Sequence, residues 1–309
     1  MEFIADSVRV VKDLILNQVA RISPAYFMHL THETGRGPSA GESAQDIADY
    51  FHKSFDEYLE FLGATPEDVA QKVILEYGPG DILGVALLFA AYGASKVYCV
   101  DRFSLLSPGP FNIEVMRLLI AKLEGKVRQR AKVCFIAMGD PGSGFKPDVV
   151  EYIVRPNGLS GMKAEVDWVL SRAVLEHVND LEGTFRDMAH CLRVGGLAAH
   201  LVDLQSHGMH RRNPLDFLKW SPLMWNQMHS HKGVPNRWRI DRYRDIVRML
   251  PFELMKLQTI KVADPTHVSA IRSRLARRFH HLSDEELSCL LFWIVCRKRD
   301  QEELSRRVD

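Results

Sequence analysis

The sequence has few cysteines, and none of them stands in a spacing typical of metal or redox sites. The five are Cys99, Cys134, Cys191, Cys289 and Cys296. No two form a C-x-x-C pair, and three lie in apolar runs that are typical of strands. We therefore expect buried, reduced thiols, which are the form that the cell interior maintains.

Long hydrophobic runs and an excess of one charge are also lacking. No stretch approaches the roughly 18 apolar residues that a membrane-spanning helix needs, and the first residues show no apolar segment followed by a small-residue cleavage site. We expect a cytoplasmic protein without integral membrane contact. Forty basic residues against thirty-nine acidic ones give a net charge of +1. This balance argues against a general nucleic-acid binder, so no nucleic-acid partner is expected.

Four segments differ in their sequence patterns. Residues 1–70 contain amphipathic helical periodicity and are expected to form a helical extension or cap. Residues 71–204 alternate short apolar runs with helical patterns and form the expected core. Residues 205–250, here called the lid, are rich in His, Arg, Asn and Trp and begin without clear periodicity. Residues 251–309 are expected to complete the sheet of the core.

The alternation of strands and helices predicts the fold class. Seven apolar segments are expected to be strands: 73–75, 96–100, 133–137, 167–170, 197–204, 253–262 and 290–296. Short connections between alternating strands and helices are typical of a parallel sheet that is covered on both faces. We therefore predict an α/β fold with a doubly wound, mostly parallel, seven-stranded sheet. The N-terminal helices extend it, and the lid is inserted after strand five.

A glycine turn follows the first predicted strand. It contains Gly78 and Gly80, flanked by Glu76 and Asp81, and it opens a helix. Asp101 ends the second predicted strand, 25 residues after Glu76. Glycines let the backbone approach a nucleotide-like ligand, and an acid at the second strand end can accept hydrogen bonds from two ribose hydroxyls.

Two ligand classes compete for this glycine turn. A nicotinamide dinucleotide carries an anionic pyrophosphate and favours a turn without acids. S-Adenosylmethionine carries an ammonium and a sulfonium and no phosphate, so nearby carboxylates favour it. Glu76 and Asp81 therefore favour S-adenosylmethionine, and an NAD(P)-linked oxidoreductase is the alternative.

The pattern of Glu76, Gly78, Gly80 and Asp101 resembles the first two motifs of class I S-adenosylmethionine-dependent methyltransferases. Within that class it resembles the methyltransferases called type 11. Residues 169–178 resemble the fourth-strand segment of that family, S-x-x-x-L-E-H-V, and residues 192–196 resemble the stop before strand five. The resemblance implies S-adenosylmethionine as cofactor. It implies a cofactor site formed by Glu76, Gly78, Gly80, Asp81, Asp101, Arg102, Asp140, Ser171 and Arg172. The chain departs from the family at Ile82, where a third glycine is usual.

Asp140 enters this set through its expected place at the end of the third strand, where the family contacts the adenine amine. The chain lacks an Asn-Pro-Pro-Tyr-type motif for a flipped base, which disfavours nucleic-acid methylation. We expect methyl transfer to an oxygen of a small-molecule or glycan-like acceptor. A cofactor-binding protein without catalysis is a further alternative, and a homodimer stays open.

The acceptor is expected beyond the carboxyl ends of the strands, where the lid leaves the sheet. The candidate catalytic residues are His207 as base, Asp203 as its partner or as proton acceptor, and His177. The candidate acceptor-binding residues are His210, Arg211, Trp225, Asn236 and Arg237, whose cations suit an anionic group. We predict no metal site, because the alternative set of Asp203, His207 and His210 is loosely spaced.

Overall fold

The structure is a computed structural model that describes residues 2–23, 42–106, 108–209, 212–232 and 234–300. These residues form a sheet of seven strands with the spatial order β3-β2-β1-β4-β5-β7-β6. The strands are β1 (Val73–Tyr77), β2 (Lys96–Asp101), β3 (Val150–Val154), β4 (Val166–Arg172), β5 (Leu192–Asp203), β6 (Phe252–Val262) and β7 (Cys289–Lys298). Strands β1 to β5 pair in parallel, and β7 runs antiparallel between β5 and β6. The predicted fold class is confirmed.

Helices cover both faces of this sheet, because successive residues of each central strand point to opposite sides. Ile74 joins the hydrophobic core on one face, and the next residue, Leu75, joins the core on the other. The helices are α1 (Glu2–Ile22), α2 (Ala44–Leu62), α3 (Gly84–Tyr92), α4 (Pro110–Lys122), α5 (Gly125–Val133), α6 (Leu181–Cys191), α7 (Pro222–His229), α8 (Ile240–Met249), α9 (Pro265–Arg272) and α10 (Asp284–Ser288). Helices α2, α3 and α4 contribute to the first core, and α6 and α8 contribute to the second.

The third strand is not where the sequence predicted it. Val133 ends helix α5, residues 134–137 follow it as an irregular segment, and β3 lies later, at Val150–Val154. Within the predicted segment only Cys134 and Phe135 are buried, whereas Val133 and Ile136 are exposed. A strand inside a parallel sheet needs burial on both faces, which this segment does not have. Its apolar residues were a misleading signal.

Helix α2 packs into the core beside the glycine turn. Ser43 caps it with a complete capping box, and Gly63 ends it in the left-handed conformation. A Cβ added at Gly84, the first residue of α3, would overlap the Phe51 ring of α2. The glycine at 84, two positions after Ile82, therefore permits close packing between α2 and the start of α3.

The lid and the segment after β6 together form a third hydrophobic core. Phe217 and Trp225 of the lid pack with Ile271 of α9 and with Phe279. Helix α1 lies against α7, where the Asn17 side chain donates to the Gln227 carbonyl at 2.8 Å. The lid is thus folded around buried residues. Among the helices of the described ranges, none has the length and apolar composition needed to cross a membrane.

Candidate functional site

The glycine turn between β1 and α3 adopts a backbone that favours glycine. Gly78 has φ 62° and Gly80 has φ 79°, both in the left-handed region. The Gly78 N–H donates to the Val100 carbonyl at 2.8 Å, which fixes the turn to β2. A Cβ at Gly78 would overlap the Val174 side chain. The turn is therefore held close to both β2 and the segment after β4.

Asp101 ends β2 beside this turn with one carboxylate oxygen engaged and one unpaired. Oδ1 accepts hydrogen bonds from the backbone N–H groups of Arg102, at 2.7 Å, and Phe103, at 3.4 Å. Oδ2 is buried and has no hydrogen-bond partner among the described residues. Burial raises the pKa of Asp101, although the backbone N–H groups of Phe103, Arg102 and Gly80 oppose this shift. An acceptor is therefore available at the strand end.

Glu76 places a second buried carboxyl group at the same edge of the sheet. Burial, and then the negative charge of Asp101, raise the pKa of Glu76 to about 8. Asp81 is partly buried, and its carbonyl accepts from the Asn112 amide at 3.3 Å. The arrangement suits a ligand that brings a cation to Glu76 and hydroxyl groups to Asp101.

Two predicted cofactor residues at the end of β4 are engaged within the protein. Ser171 is fully buried, and its Oγ lies 2.8 Å from Nδ1 of the buried His200. Arg172 forms an ion pair of 2.7 Å with Glu57 of α2 and lies over the Trp293 ring. The cofactor contacts predicted for these two side chains would therefore have to compete with bonds that join elements of the fold.

The other two predicted cofactor residues are Asp140, which lies away from the strand ends, and Arg102, which packs against neighbouring residues. Asp140 is exposed and caps a short turn, with Oδ1 accepting from the Gly142 N–H at 3.0 Å. Since β3 ends at Val154, the strand-end position assumed for Asp140 is wrong. Arg102 is partly buried, lies over the Phe103 ring and packs against Gly158 in the segment after β3.

A second polar cluster lies after β4 and β5, around Glu176. The Glu176 carboxyl is 1% exposed, and neither of its oxygens has a hydrogen-bond partner within the described residues. His177 Nε2 and His207 Nε2 lie 3.9 and 4.0 Å from Glu176 Oε1. The two imidazole rings meet edge to face, with centroids 4.9 Å apart. Burial raises the pKa of Glu176 well above its usual range, and the charge of Asp203 adds to this shift.

The candidate catalytic residues are thus brought together from two segments. Asp203 ends β5, and both of its carboxylate oxygens accept from the Gln205 amide at 2.9 Å. His207 follows in a turn with φ 47°, and its Nε2 lies 3.5 Å from the Asp203 carbonyl. His177 comes from the segment after β4. Glu176 was not among the predicted site residues, although the quoted segment contains it. A carboxylate beside a histidine in an apolar run was the available signal.

Three of the predicted acceptor-binding residues have structural contacts instead. Asn236 donates to the carbonyls of Leu175 and Val178, at 2.9 and 3.0 Å, and thereby fixes the Glu176 segment. Arg237 is buried and donates to the Trp220 carbonyl at 2.6 Å.

Trp225 is also buried, 4.4 Å below the Arg237 guanidinium, in the core of the lid. The acceptor-binding role of Trp225, Asn236 and Arg237 stays a prediction. An acceptor would compete with the hydrogen bonds that Asn236 and Arg237 donate within the protein. His210 and Arg211, the other two predicted acceptor residues, lie outside the described residues.

Arg239 is a buried residue that the sequence did not single out. Its guanidinium donates to the carbonyls of Leu204, at 2.9 Å, and Leu287, at 3.0 Å, and also to that of Cys289. Burial lowers its pKa to about 10. These bonds join the end of β5 to the start of β7 and so support the Asp203 corner.

Three solved structures are similar in fold: an S-adenosylmethionine-dependent methyltransferase from Mesorhizobium loti, the YcgJ protein from Bacillus subtilis, and phosphoethanolamine N-methyltransferase 2 from Haemonchus contortus in complex with phosphomonomethylethanolamine and S-adenosylhomocysteine. Their identities are 16%, 13% and 12%, and their TM-scores are 0.43, 0.42 and 0.44. The matches cover 84%, 81% and 80% of this chain and 100%, 99% and 53% of the respective structures.

Among curated proteins, none matches the sequence. A family model described as a methyltransferase domain matches residues 47–257, which is well over half of the chain. This match includes the glycine turn, the Glu176 cluster and the whole lid. The chain therefore belongs to the methyltransferase-domain family.

Proposed function

We propose that this protein binds S-adenosylmethionine and transfers its methyl group to an oxygen of a small-molecule or glycan-like acceptor. The observation that carries the proposal is the buried, unpaired Oδ2 of Asp101 beside the glycine turn. A carboxylate with a free oxygen at the end of the second strand is suited to accept hydrogen bonds from ribose hydroxyls. The methyltransferase-domain family supports the same cofactor class.

The charge of the site supports this cofactor over a dinucleotide. Glu76 is buried at the end of β1, where a cation is needed to stabilise its ionised form. S-Adenosylmethionine brings an ammonium group, whereas the pyrophosphate of NAD(P) would add negative charge beside Glu76 and Asp101. An oxidoreductase of that kind is therefore disfavoured.

The acceptor belongs, in this proposal, at the carboxyl ends of β4 and β5, near His177, Asp203 and His207. Bound S-adenosylmethionine would supply the methyl group to an acceptor oxygen. The electron pair of the broken carbon–sulfur bond would stay on sulfur in neutral S-adenosylhomocysteine. The hydroxyl proton passes to a base, for which His207 is the candidate, with Asp203 and His177 beside it.

Calorimetric titration with S-adenosylhomocysteine, NAD and NADP tests the cofactor. We expect binding of S-adenosylhomocysteine alone. Asp101→Asn is expected to weaken that binding about 10- to 100-fold, since hydrogen bonds to a charged group are lost. The matched control is Asp148→Asn, which changes an exposed aspartate away from the turn. Binding of NAD without S-adenosylhomocysteine, or equal affinity in both variants, would contradict the proposal.

A further inference from the structure

We propose that Glu176, His177 and His207 form a binding site for a divalent first-row transition ion such as Zn²⁺. One ligand atom from each of these residues, two imidazole nitrogens and a carboxylate oxygen, lies within 4.8 Å of the others. Imidazole and carboxylate are the ligands that such ions share in proteins. The predicted alternative of Asp203, His207 and His210 used a different set.

The distances are those of a site that needs only a small contraction. The two Nε2 atoms lie 3.9 and 4.0 Å from Glu176 Oε1. Around a tetrahedral zinc ion with bonds of about 2.0–2.1 Å, ligand atoms lie about 3.3 Å apart. Each histidine would therefore move by less than about 1 Å relative to the carboxylate, which side-chain torsions permit.

The electrostatics of the cluster favour a cation at this point. Glu176 is buried, and its carboxylate oxygens have no hydrogen-bond partner within the described ranges. A buried anion without a partner is costly, and a bound metal ion offsets that cost. Asp203 adds a second negative charge nearby. The Lys261 ammonium donates to the Gln205 side chain. The negative charges of Glu176 and Asp203 would therefore favour a bound cation.

The cluster is buried on the side of Glu176 and open to solvent on the side of the two histidines. The side chains of His177 and His207 are 32% and 33% exposed. Three protein ligands with an open side are typical of catalytic zinc sites rather than structural ones. In the proposed reaction an acceptor oxygen would take the open position. With an ion bound to His207, the hydroxyl proton would pass to Asp203, the alternative proton acceptor.

Direct metal binding tests this inference without any methyl transfer. Chelator-treated full-length protein is titrated with Zn²⁺ by calorimetry, in the absence of cofactor. We expect one ion per chain, and we expect His207→Gln and Glu176→Gln each to weaken binding by about 100-fold or more. His190→Gln, which changes an exposed histidine on α6, is the matched control and keeps the wild-type affinity. No Zn²⁺ binding, or wild-type affinity in both cluster variants, overturns the proposal.

Two further measurements keep the result unambiguous. His207 lies on a turn and is partly exposed, so His207→Gln is expected to keep the wild-type circular dichroism spectrum even if Glu176→Gln unfolds. Co²⁺ should give visible absorption bands of a nitrogen-and-oxygen site in the wild type and lose them in His207→Gln. Their persistence in that variant counts against the site. S-Adenosylhomocysteine affinity, measured in metal-free protein, tests the cofactor proposal separately. A protein that binds Zn²⁺ but not S-adenosylhomocysteine would support the metal site and contradict the cofactor proposal.

Discussion

Burial, and then the negative charge of Asp101 at the end of the neighbouring parallel strand, raise the pKa of the Glu76 carboxyl. The pair sits at the edge of the sheet where the glycine turn begins. Among the described residues neither carboxyl forms an ion pair, so this edge of the sheet carries an electrostatic cost when both groups are ionised. A cationic ligand relieves it, which couples protonation, stability and cofactor binding in ways that can be measured.

The first prediction concerns stability and pH. Burial and the charge of Asp101 raise the pKa of Glu76 from its ordinary value of 4.5 to about 8, so folding takes up a proton between these pH values. The stabilisation is full below about 4.5 and is lost as the pH rises through about 8. We expect Glu76→Gln to remove this part of the pH dependence, worth roughly 5 °C in Tm between pH 5 and pH 8.5. Calorimetric melting curves of both proteins measure it.

Glu60→Gln is the control for that experiment, because Glu60 is an exposed carboxylate on α2. Its Tm should follow the wild-type pH dependence. If Glu76→Gln also follows the wild type throughout, the Glu76 carboxyl does not titrate in this range.

The second prediction concerns protons released on binding. At pH 7 the Glu76 carboxyl is mostly protonated, because its pKa is about 8. An ammonium group nearby favours the ionised form, so binding of S-adenosylhomocysteine should release close to one proton per chain. Titration calorimetry in buffers of different ionisation enthalpy gives this number directly. Glu76→Gln should release none; an observed enthalpy independent of buffer in the wild type would refute the coupling.

The third prediction concerns Gly78. Alanine there combines a left-handed backbone with overlap against Val174, so we expect a loss of roughly 2–4 kcal/mol of stability and of measurable cofactor binding. Gly125→Ala provides the comparison, since Gly125 has φ 51° with nothing within 4 Å of an added Cβ. This variant measures only the cost of the left-handed backbone for alanine, which is roughly 1 kcal/mol of stability. Equal losses in the two variants, read from urea unfolding, would mean that the contact with Val174 is unimportant.

The fourth prediction separates Arg172 from the cofactor. Arg172→Met removes an ion pair with Glu57 and a cation–π contact with Trp293, so unfolding free energy should fall by roughly 1–3 kcal/mol. Affinity for S-adenosylhomocysteine should stay within about twofold, because the guanidinium is held by α2. A double-mutant cycle with Glu57→Gln measures the pair. A large loss of affinity without a loss of stability would restore the cofactor role to Arg172.

Local patterns were sufficient for the central part of the fold. The strand from Val73 to Tyr77, the glycine turn and Asp101 follow one another within a short stretch, and each has its own signal in composition. The third strand lacked such a signal. Its residues Val150–Val154 include a glutamate and a tyrosine at the edge of the sheet. The more apolar, only partly buried segment 133–137 therefore gave the stronger pattern.

The polar clusters depend on contacts between distant parts of the chain, which a sequence does not display. Glu176 and His207 are 31 residues apart and meet only because β4 and β5 end at the same edge of the sheet. Arg237 and Arg239 are buried, although arginine is usually exposed, and their partners are backbone carbonyls that any sequence would offer. Histidines and arginines of the lid therefore look alike in sequence, although they differ in burial and in their contacts.

The antiparallel strand β7 bonds to both β5 and β6, the strands that flank the lid. A single backbone break within the lid would leave one fragment ending after β5 and another carrying β6 and β7. These two fragments would still share the full β5–β7 ladder and the core beneath it. We therefore expect nicked protein to stay associated under native conditions, and the lid to be the place where this chain can be divided for fragment complementation.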